Sequence, residues 1–308
     1  MQTKRLITKA IGLGINAVSA LNKNWAGRLA YDLFTHPFPT KLRPKERDFL
    51  ATAVQHRTER AERNIVEYHW GKTGAPYILL SYGWVYNAGR WRHFVPQLVE
   101  AGYRVIAYDP PSHGLSPRKQ LHLVHNINII RDIIQTYGAP FATVAHSFGG
   151  AAMVGALAHL DRSYHPQRMV TMAAFSHGMA VFRGFQRELG LNEGPFQVYL
   201  QYLLDNAGDL GGGFDLLPLT ERLAHIPNLL IHDPQDKVTP AEQSQRYHLN
   251  WPGSILLTPI GAGHHLGTAR VTEAILDFVI DQKIPLSATV QERPLPAAKS
   301  VDTYYAAS

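Results

Sequence analysis

The sequence predicts an α/β fold, a mostly parallel sheet with helices on both faces, and three observations carry that expectation. Beyond the polar stretch Arg57 to Asn64, short apolar runs alternate with longer segments of helical period, the pattern of strands joined by crossover helices. The 308 residues are 45% hydrophobic and 18% charged, enough to bury a substantial core and unlike a disordered chain. The longest apolar runs, such as Tyr77 to Ser81 and Phe141 to Ala145, are strand-length and far short of the roughly 20 residues that cross a bilayer.

Taken in order, residues 1–63 form a basic leading segment. Leu6, Ile7, Ala10, Ile11, Gly14, Ile15 and Val18 fall at helical spacing, so Leu6 to Ala20 reads as an amphipathic helix. Lys4 and Arg5 give a faint signal-peptide outline, but Lys9, Gly12, Gly14 and Asn16 interrupt the apolar run such a signal needs, and a retained helix is expected. Gly12-Leu13-Gly14 follows no strand and lacks a third glycine, which excludes a dinucleotide loop. Between Lys4 and Arg63 there are 12 Lys/Arg against 5 Asp/Glu, in a chain of net charge +6. No nucleic-acid motif accompanies this basic bias; a solvated face or weak contact with a membrane surface is expected.

Residues 64–176 carry strands at Ile65 to Trp70, Tyr77 to Ser81, Tyr103 to Tyr108, Phe141 to Ala145 and Met169 to Ala174. Helices are expected between them at Trp91 to Ala101, Asn126 to Tyr137 and Gly149 to Leu160. Residues 177–219, rich in Phe, Leu and Gly with a helical patch at Pro195 to Asn206, interrupt the alternation and read as a small cap lying over the sheet. Within it Gly211-Gly212-Gly213 suits a flexible loop better than a phosphate cradle. Alternation resumes over 220–282, with strands at Asn228 to Ile231 and Ser254 to Leu257 and helices at Ala241 to Leu249 and Thr268 to Asp281. Residues 283–308, with Pro285, Pro294 and Pro296 and no periodicity, are expected to be a flexible tail.

Four motifs sit at strand ends. Ala145-His146-Ser147-Phe148-Gly149-Gly150 has the form of a nucleophile elbow, with small residues two before and two after the serine so that helix and strand can approach. Asp109-Pro110-Pro111-Ser112-His113-Gly114-Leu115-Ser116 follows another strand, and here the chain resembles the α/β-hydrolase family over roughly Arg43 to Ile280. The resemblance implies the α/β-hydrolase fold and makes His113 and Asp109 holders of the turn. In Ile231-His232-Asp233-Pro234-Gln235-Asp236-Lys237-Val238 it puts the triad acid at Asp236, with Val238 packing behind and Asp233 as the alternative. In Gly261-Ala262-Gly263-His264-His265-Leu266 it puts the histidine at His264, with His265 the neighbour to be told apart.

The order Ser147, Asp236, His264 is the one this fold uses, so the resemblance implies a serine hydrolase. Ser147 would attack a carbonyl, His264 would move its proton, and Asp236 would orient the imidazole. Backbone N–H groups of Phe148 and Trp84 would hold the oxyanion. Tyr82 stands where the family usually has the histidine that braces this loop. Carboxylesterase is the leading activity, with thioesterase or carbon–carbon bond hydrolase beside it; epoxide hydrolases and haloalkane dehalogenases of this fold use an aspartate nucleophile instead. A binding protein that keeps the triad is the reading from another class. An apolar small-molecule acyl substrate would lie against Tyr82, Phe175, Met179, Phe182, Phe196 and Tyr199, although those residues could equally pack the cap onto the sheet.

The absence of cysteine excludes thiolate nucleophiles and cysteine-ligated metals. His122 and His125, three apart without a matching carboxylate, read as surface residues rather than ligands. No metal, cofactor or nucleic-acid partner is expected, and a cytoplasmic location, at most peripheral to a membrane, is.

Overall fold

The structure, a computed structural model, describes residues 2–38, 40–210, 214–285 and 288–290. The glycine run 211–213 and the tail beyond 290 lie outside the described residues. The chain opens with α1 (Gln2–Leu21) and α2 (Lys23–Thr35). They part at Asn22, whose side chain accepts the N–H groups of Asn24 and Trp25 and so caps α2. After α3 (Pro44–Leu50), β1 (Val54–Arg60) and β2 (Arg63–Trp70) form an antiparallel hairpin that turns at Ala61 and Glu62, both at positive φ.

Six strands then lie parallel: β3 (Tyr77–Ser81), β4 (Arg104–Asp109), β5 (Ala142–His146), β6 (Arg168–Met172), β7 (Asn228–Ile231) and β8 (Ile255–Leu257). β9 (Thr289–Val290) closes the far edge antiparallel, and among the described residues the sheet runs β1-β2-β4-β3-β5-β6-β7-β8-β9. β3, β5, β6 and β7 are buried at every residue, as parallel strands covered on both faces must be. Ile78 and Leu80 of β3 point to one core and Tyr77 and Leu79 to the other, so successive side chains serve opposite layers.

The covering helices are α4 (Val95–Glu100), α5 (Leu123–Tyr137), α6 (Phe148–Ala158), α9 (Glu242–Asn250) and α10 (Ala269–Leu276), and α7 (Gly178–Leu189) and α8 (Glu193–Asp205) lie in the segment between β6 and β7. α1 packs on α7 and α2 on α8. No described helix is long and apolar enough to cross a membrane.

Several elements differ from the sequence reading. The polar stretch Arg57 to Asn64 holds the end of β1, the turn and the start of β2: β1 is an edge strand, exposed along most of its length, with no apolar face to betray it. A boundary at 63/64 therefore cuts that hairpin. The helix expected from Trp91 begins as a 3-10 turn, Ala88–His93, and α4 starts only at Val95, where Pro96 fits the first helical turn. The helix expected through Asp281 is α10 followed by a π turn, Asp277–Asp281. Within the tail that reads as unstructured, β9 adds a short strand beside β8.

Candidate active site

The turn at Ser147 is built by the end of β5 and the start of α6. Between them Ser147 takes φ +51° and ψ −121°, a conformation that costs a non-glycine residue about 1–3 kcal/mol and persists only where surroundings enforce it. Its N–H is held by the carbonyl of Met172 at 2.7 Å. Gly149 must be small, because a Cβ there would lie 2.5 Å from the carbonyl oxygen of Tyr82. Ala145, paired with Ser81 on one side and Thr171 on the other, is small enough for the same purpose.

The loops after β7 and β8 bring two further side chains to this serine. His264 Nε2 accepts from Ser147 Oγ at 3.2 Å, and His264 Nδ1–H donates to Asp236 Oδ2 at 2.7 Å. The Asp236 carboxylate is fully buried. Burial alone would raise its pKa, yet hydrogen bonds from His232 and His264 and from the Val238 N–H hold it well below the usual carboxylate range. It is therefore a fixed negative charge beside the imidazole.

Asp233 is spent elsewhere. Its carboxylate accepts the Gln235 N–H at 2.8 Å and the Gly263 N–H at 2.6 Å, which ties the acid turn to the histidine loop. His265 is exposed, and its carbonyl takes a hydrogen bond from Arg90 at 2.7 Å. Val238 does not pack behind the acid as expected: its side chain is 69% exposed, and only its N–H serves, donating to Asp236 Oδ1.

His232, unassigned from sequence, lies 3.2 Å from Asp236 Oδ2 through Nε2 and is completely enclosed. It gives the carboxylate a second histidine neighbour, at the same oxygen that His264 reaches. His146 Nε2–H donates to the carbonyl of His264 at 2.8 Å, while burial and nearby Arg90 push the His146 pKa well down. A neutral ring therefore props the histidine loop without adding positive charge beside it.

The loop 82–85 lies directly against the serine: a Cβ on Gly83 would stand 2.9 Å from both Ser147 Cβ and His146 Nδ1. Tyr82 fixes this loop from below rather than lining a pocket. Its phenol donates to Asp109 Oδ1 at 2.7 Å, and the same carboxylate takes the Tyr68 hydroxyl and the N–H groups of Ala88 and Leu115. His113 completes the brace by accepting the Val85 N–H on Nε2 at 2.8 Å and donating from Nδ1 to Pro111. Burial lowers its pKa, which suits a ring that must stay neutral to accept. Phe148 is the first residue of α6, where N–H groups have no acceptor within the helix.

Of the remaining pocket candidates, Phe196 and Tyr199 are fully enclosed, Phe175 and Phe182 nearly so, and Met179 is partly exposed. The side chain at the centre of this aromatic group is one the sequence did not single out, Phe34 of α2. It stacks on Trp84 at 5.6 Å between ring centroids and meets Phe182, Phe185 and Tyr199 edge-on. Trp84 in turn meets Phe148 at 4.8 Å. No spacing in α2 marks Phe34, because its partners come from three distant segments.

His122 and His125 are not surface residues. His122 is enclosed, the two rings lie 3.4 Å apart, and burial pushes their pKa values down to about 4 and about 2. Among the described residues no group of three or more His, Asp or Glu side chains could hold a metal ion.

Comparison with known proteins agrees with this architecture. The family described as "Alpha/beta hydrolase family" matches residues 74–276. Epoxide hydrolase A of Mycobacterium tuberculosis is 34% identical over 98 residues, which is 30% of this chain and 30% of that protein. A serine hydrolase-like protein of Dictyostelium discoideum is 34% identical over 86 residues, 26% of this chain and 24% of that one. The chain thus spans about a third or less of the curated relatives it matches. Among solved structures, the carboxylesterase CesB of Bacillus subtilis superposes with a TM-score of 0.56 at 14% identity, covering 84% of this chain and 99% of that one. With the matched region spanning the sheet from β3 through α10, the chain belongs to the alpha/beta hydrolase family.

Proposed function

We propose that this hydrolase-family protein cleaves carboxylic esters or related acyl bonds through an acyl-serine intermediate. The observation that carries this reading is the unbroken line Ser147 Oγ, His264 Nε2, His264 Nδ1, Asp236 Oδ2, with contacts of 3.2 and 2.7 Å. In the reaction, Ser147 Oγ bonds to the substrate carbonyl carbon as its proton passes to His264. The tetrahedral oxyanion is held by the N–H groups of Trp84 and Phe148, and His264 returns the proton to the departing alcohol. Water then repeats the sequence to release the acid. Asp236, held ionised, favours the imidazolium that forms at each proton transfer.

The serine also bears on the similarity to epoxide hydrolases. Opening an epoxide with a serine oxygen would leave an alkyl ether, which has no carbonyl for water to attack, whereas a carboxylate nucleophile leaves an ester that water can cleave. Ser147 therefore favours acyl substrates. Trp84, Phe148 and Phe34 beside the nucleophile favour an apolar acyl or alcohol group. A thioester or an activated carbon–carbon bond presents the same electrophilic carbonyl and is the alternative substrate.

A fluorophosphonate probe tests the reading, since only an activated serine facing an oxyanion site is phosphonylated readily. The expected result is one adduct, on Ser147, lost in Ser147→Ala together with hydrolysis of a series of p-nitrophenyl esters. Asp236→Asn should lower kcat by about 10⁴-fold, while Asp233→Asn should cost far less. Absence of labelling on folded protein, or ester hydrolysis persisting in Ser147→Ala, would replace this reading with that of a binding protein on the same fold.

A further inference from the structure

α1 is held to the protein by polar side chains together with the buried Ile15, and it leaves other apolar side chains outward. On the docked side, Asn16 donates to the carbonyl of Gly190 at 2.8 Å and accepts from the Asn192 N–H at 2.9 Å, while Lys9 reaches the carbonyl of Arg187. Gly12 approaches α7 so closely that a Cβ would lie 1.9 Å from the carbonyl oxygen of Leu189. The opposite side leaves Leu6, Ile7, Leu13 and Leu21 exposed at 70%, 57%, 69% and 89%. Past the break at Asn22, α2 continues the exposure with Trp25 at 68% and Leu29 at 48%. So many large apolar side chains left exposed on two consecutive helices mark an interaction site.

The charge of this segment points to its partner. In the first 40 residues of the sequence five bases, Lys4, Arg5, Lys9, Lys23 and Arg28, stand against a single acid, Asp32, which pairs with Arg28 at 3.1 Å. Two copies of a segment with a surplus of one sign would repel each other across a two-fold axis, whereas anionic lipid headgroups would neutralise it. A tryptophan at the rim of an apolar, lysine-flanked helix pair is also what a bilayer interface prefers. We infer that the outward face of α1 and α2 docks this protein onto an anionic membrane surface, lying in the interface without crossing it.

Co-sedimentation of the full-length protein with vesicles of phosphatidylcholine, with and without phosphatidylglycerol, tests this. The reading is of binding, independent of turnover. Wild-type protein should partition onto the anionic vesicles at low salt and leave them at high salt or when the anionic lipid is omitted. Leu13→Gln with Trp25→Gln, both exposed and outside the core, should weaken partition by about tenfold or more while thermal melting stays unchanged. The docking surface is ruled out if wild-type and double variant sediment equally, or if neither sediments. It is likewise ruled out if light scattering shows a dimer that the double variant converts to monomer, since the face would then belong to a second copy.

Discussion

At the scale of single residues, Tyr82 shows how a motif can change its chemistry and keep its geometry. A histidine is the family's usual residue before the glycine, and here a phenol takes over by donating to Asp109, which also gathers Tyr68, Ala88 and Leu115. Tyr82→Phe removes one donor from a buried carboxylate and should cost about 1–3 kcal/mol in denaturant unfolding. If the loop's setting matters to the oxyanion, kcat on an ester should also fall, by about tenfold, with KM little changed. A fall in stability alone would make Tyr82 a packing residue. Tyr199 offers the opposite case, because its hydroxyl is buried without a hydrogen-bond partner among the described residues and burial drives its pKa far up. Tyr199→Phe discards an unsatisfied group and should raise the melting temperature by a few degrees, about 1 kcal/mol.

Among the elements, the β1–β2 hairpin is tied to α5 by Asp132, which accepts the Ala61 N–H, and by Arg60 and Glu67, with the buried Glu67 carboxylate at the centre of the contacts. Glu67 accepts from Arg60 Nε at 2.7 Å, His69 Nε2 at 3.0 Å and Tyr137 Oη at 2.8 Å. Burial opposes the charge, but these partners outweigh it and lower the pKa from the ordinary 4.5 to about 2. Because the folded value lies below the unfolded one, this stabilisation is complete above about pH 4.5 and is lost as the pH falls toward 2. Glu67→Gln should destabilise the protein by about 3 kcal/mol at pH 7, and the gap between variant and wild type should close in acid. A constant gap across that range would remove the carboxylate charge from the explanation. This same hairpin shows what sequence leaves hidden. The buried parallel strands β3, β5 and β7 were legible as continuous apolar runs, and the three loops that follow β5, β7 and β8 were legible from glycines and acids at fixed offsets. β1 was not, because an edge strand with polar residues on both faces carries no periodic signal. Nor was the place of Phe34 in α2, since its ring partners Trp84 and Phe185 come from distant segments. Asp236 could be told from its neighbour Asp233 only on the resemblance, and what separates them physically is that Asp236 meets the His264 imidazole while Asp233 is taken up by the N–H groups of Gln235 and Gly263.

Over the whole molecule, neutral histidines dominate the response to acid. Burial lowers the pKa of His113, His122, His125, His146, His177 and His248 below the ordinary 6.5. The unfolded chain then takes up protons first, so their contribution is complete above about pH 6.5 and declines as the pH falls below it. For His122, at about 4, and His125, at about 2, this is on the order of 2 kcal/mol each at pH 5. The melting temperature should therefore drop between pH 7 and pH 5, well before carboxylates titrate, and less steeply in His122→Leu with His125→Leu. An unchanged slope in that variant would place the acid sensitivity elsewhere. The docking of α1 and α2 onto α7 and α8 has a different consequence, for synthesis of the chain. Both helices leave the ribosome before the helices that seat them, and their seat is complete only when α8 ends at Asp205, some 170 residues after Thr35. At roughly 5–20 residues per second that is a wait of about 10–30 s. Throughout it Ala26, Ala30 and Tyr31, enclosed in the finished protein, stand in water beside the permanently exposed Leu21 and Trp25. The nascent chain is then most open to capture by a chaperone, or by a bilayer close to the ribosome.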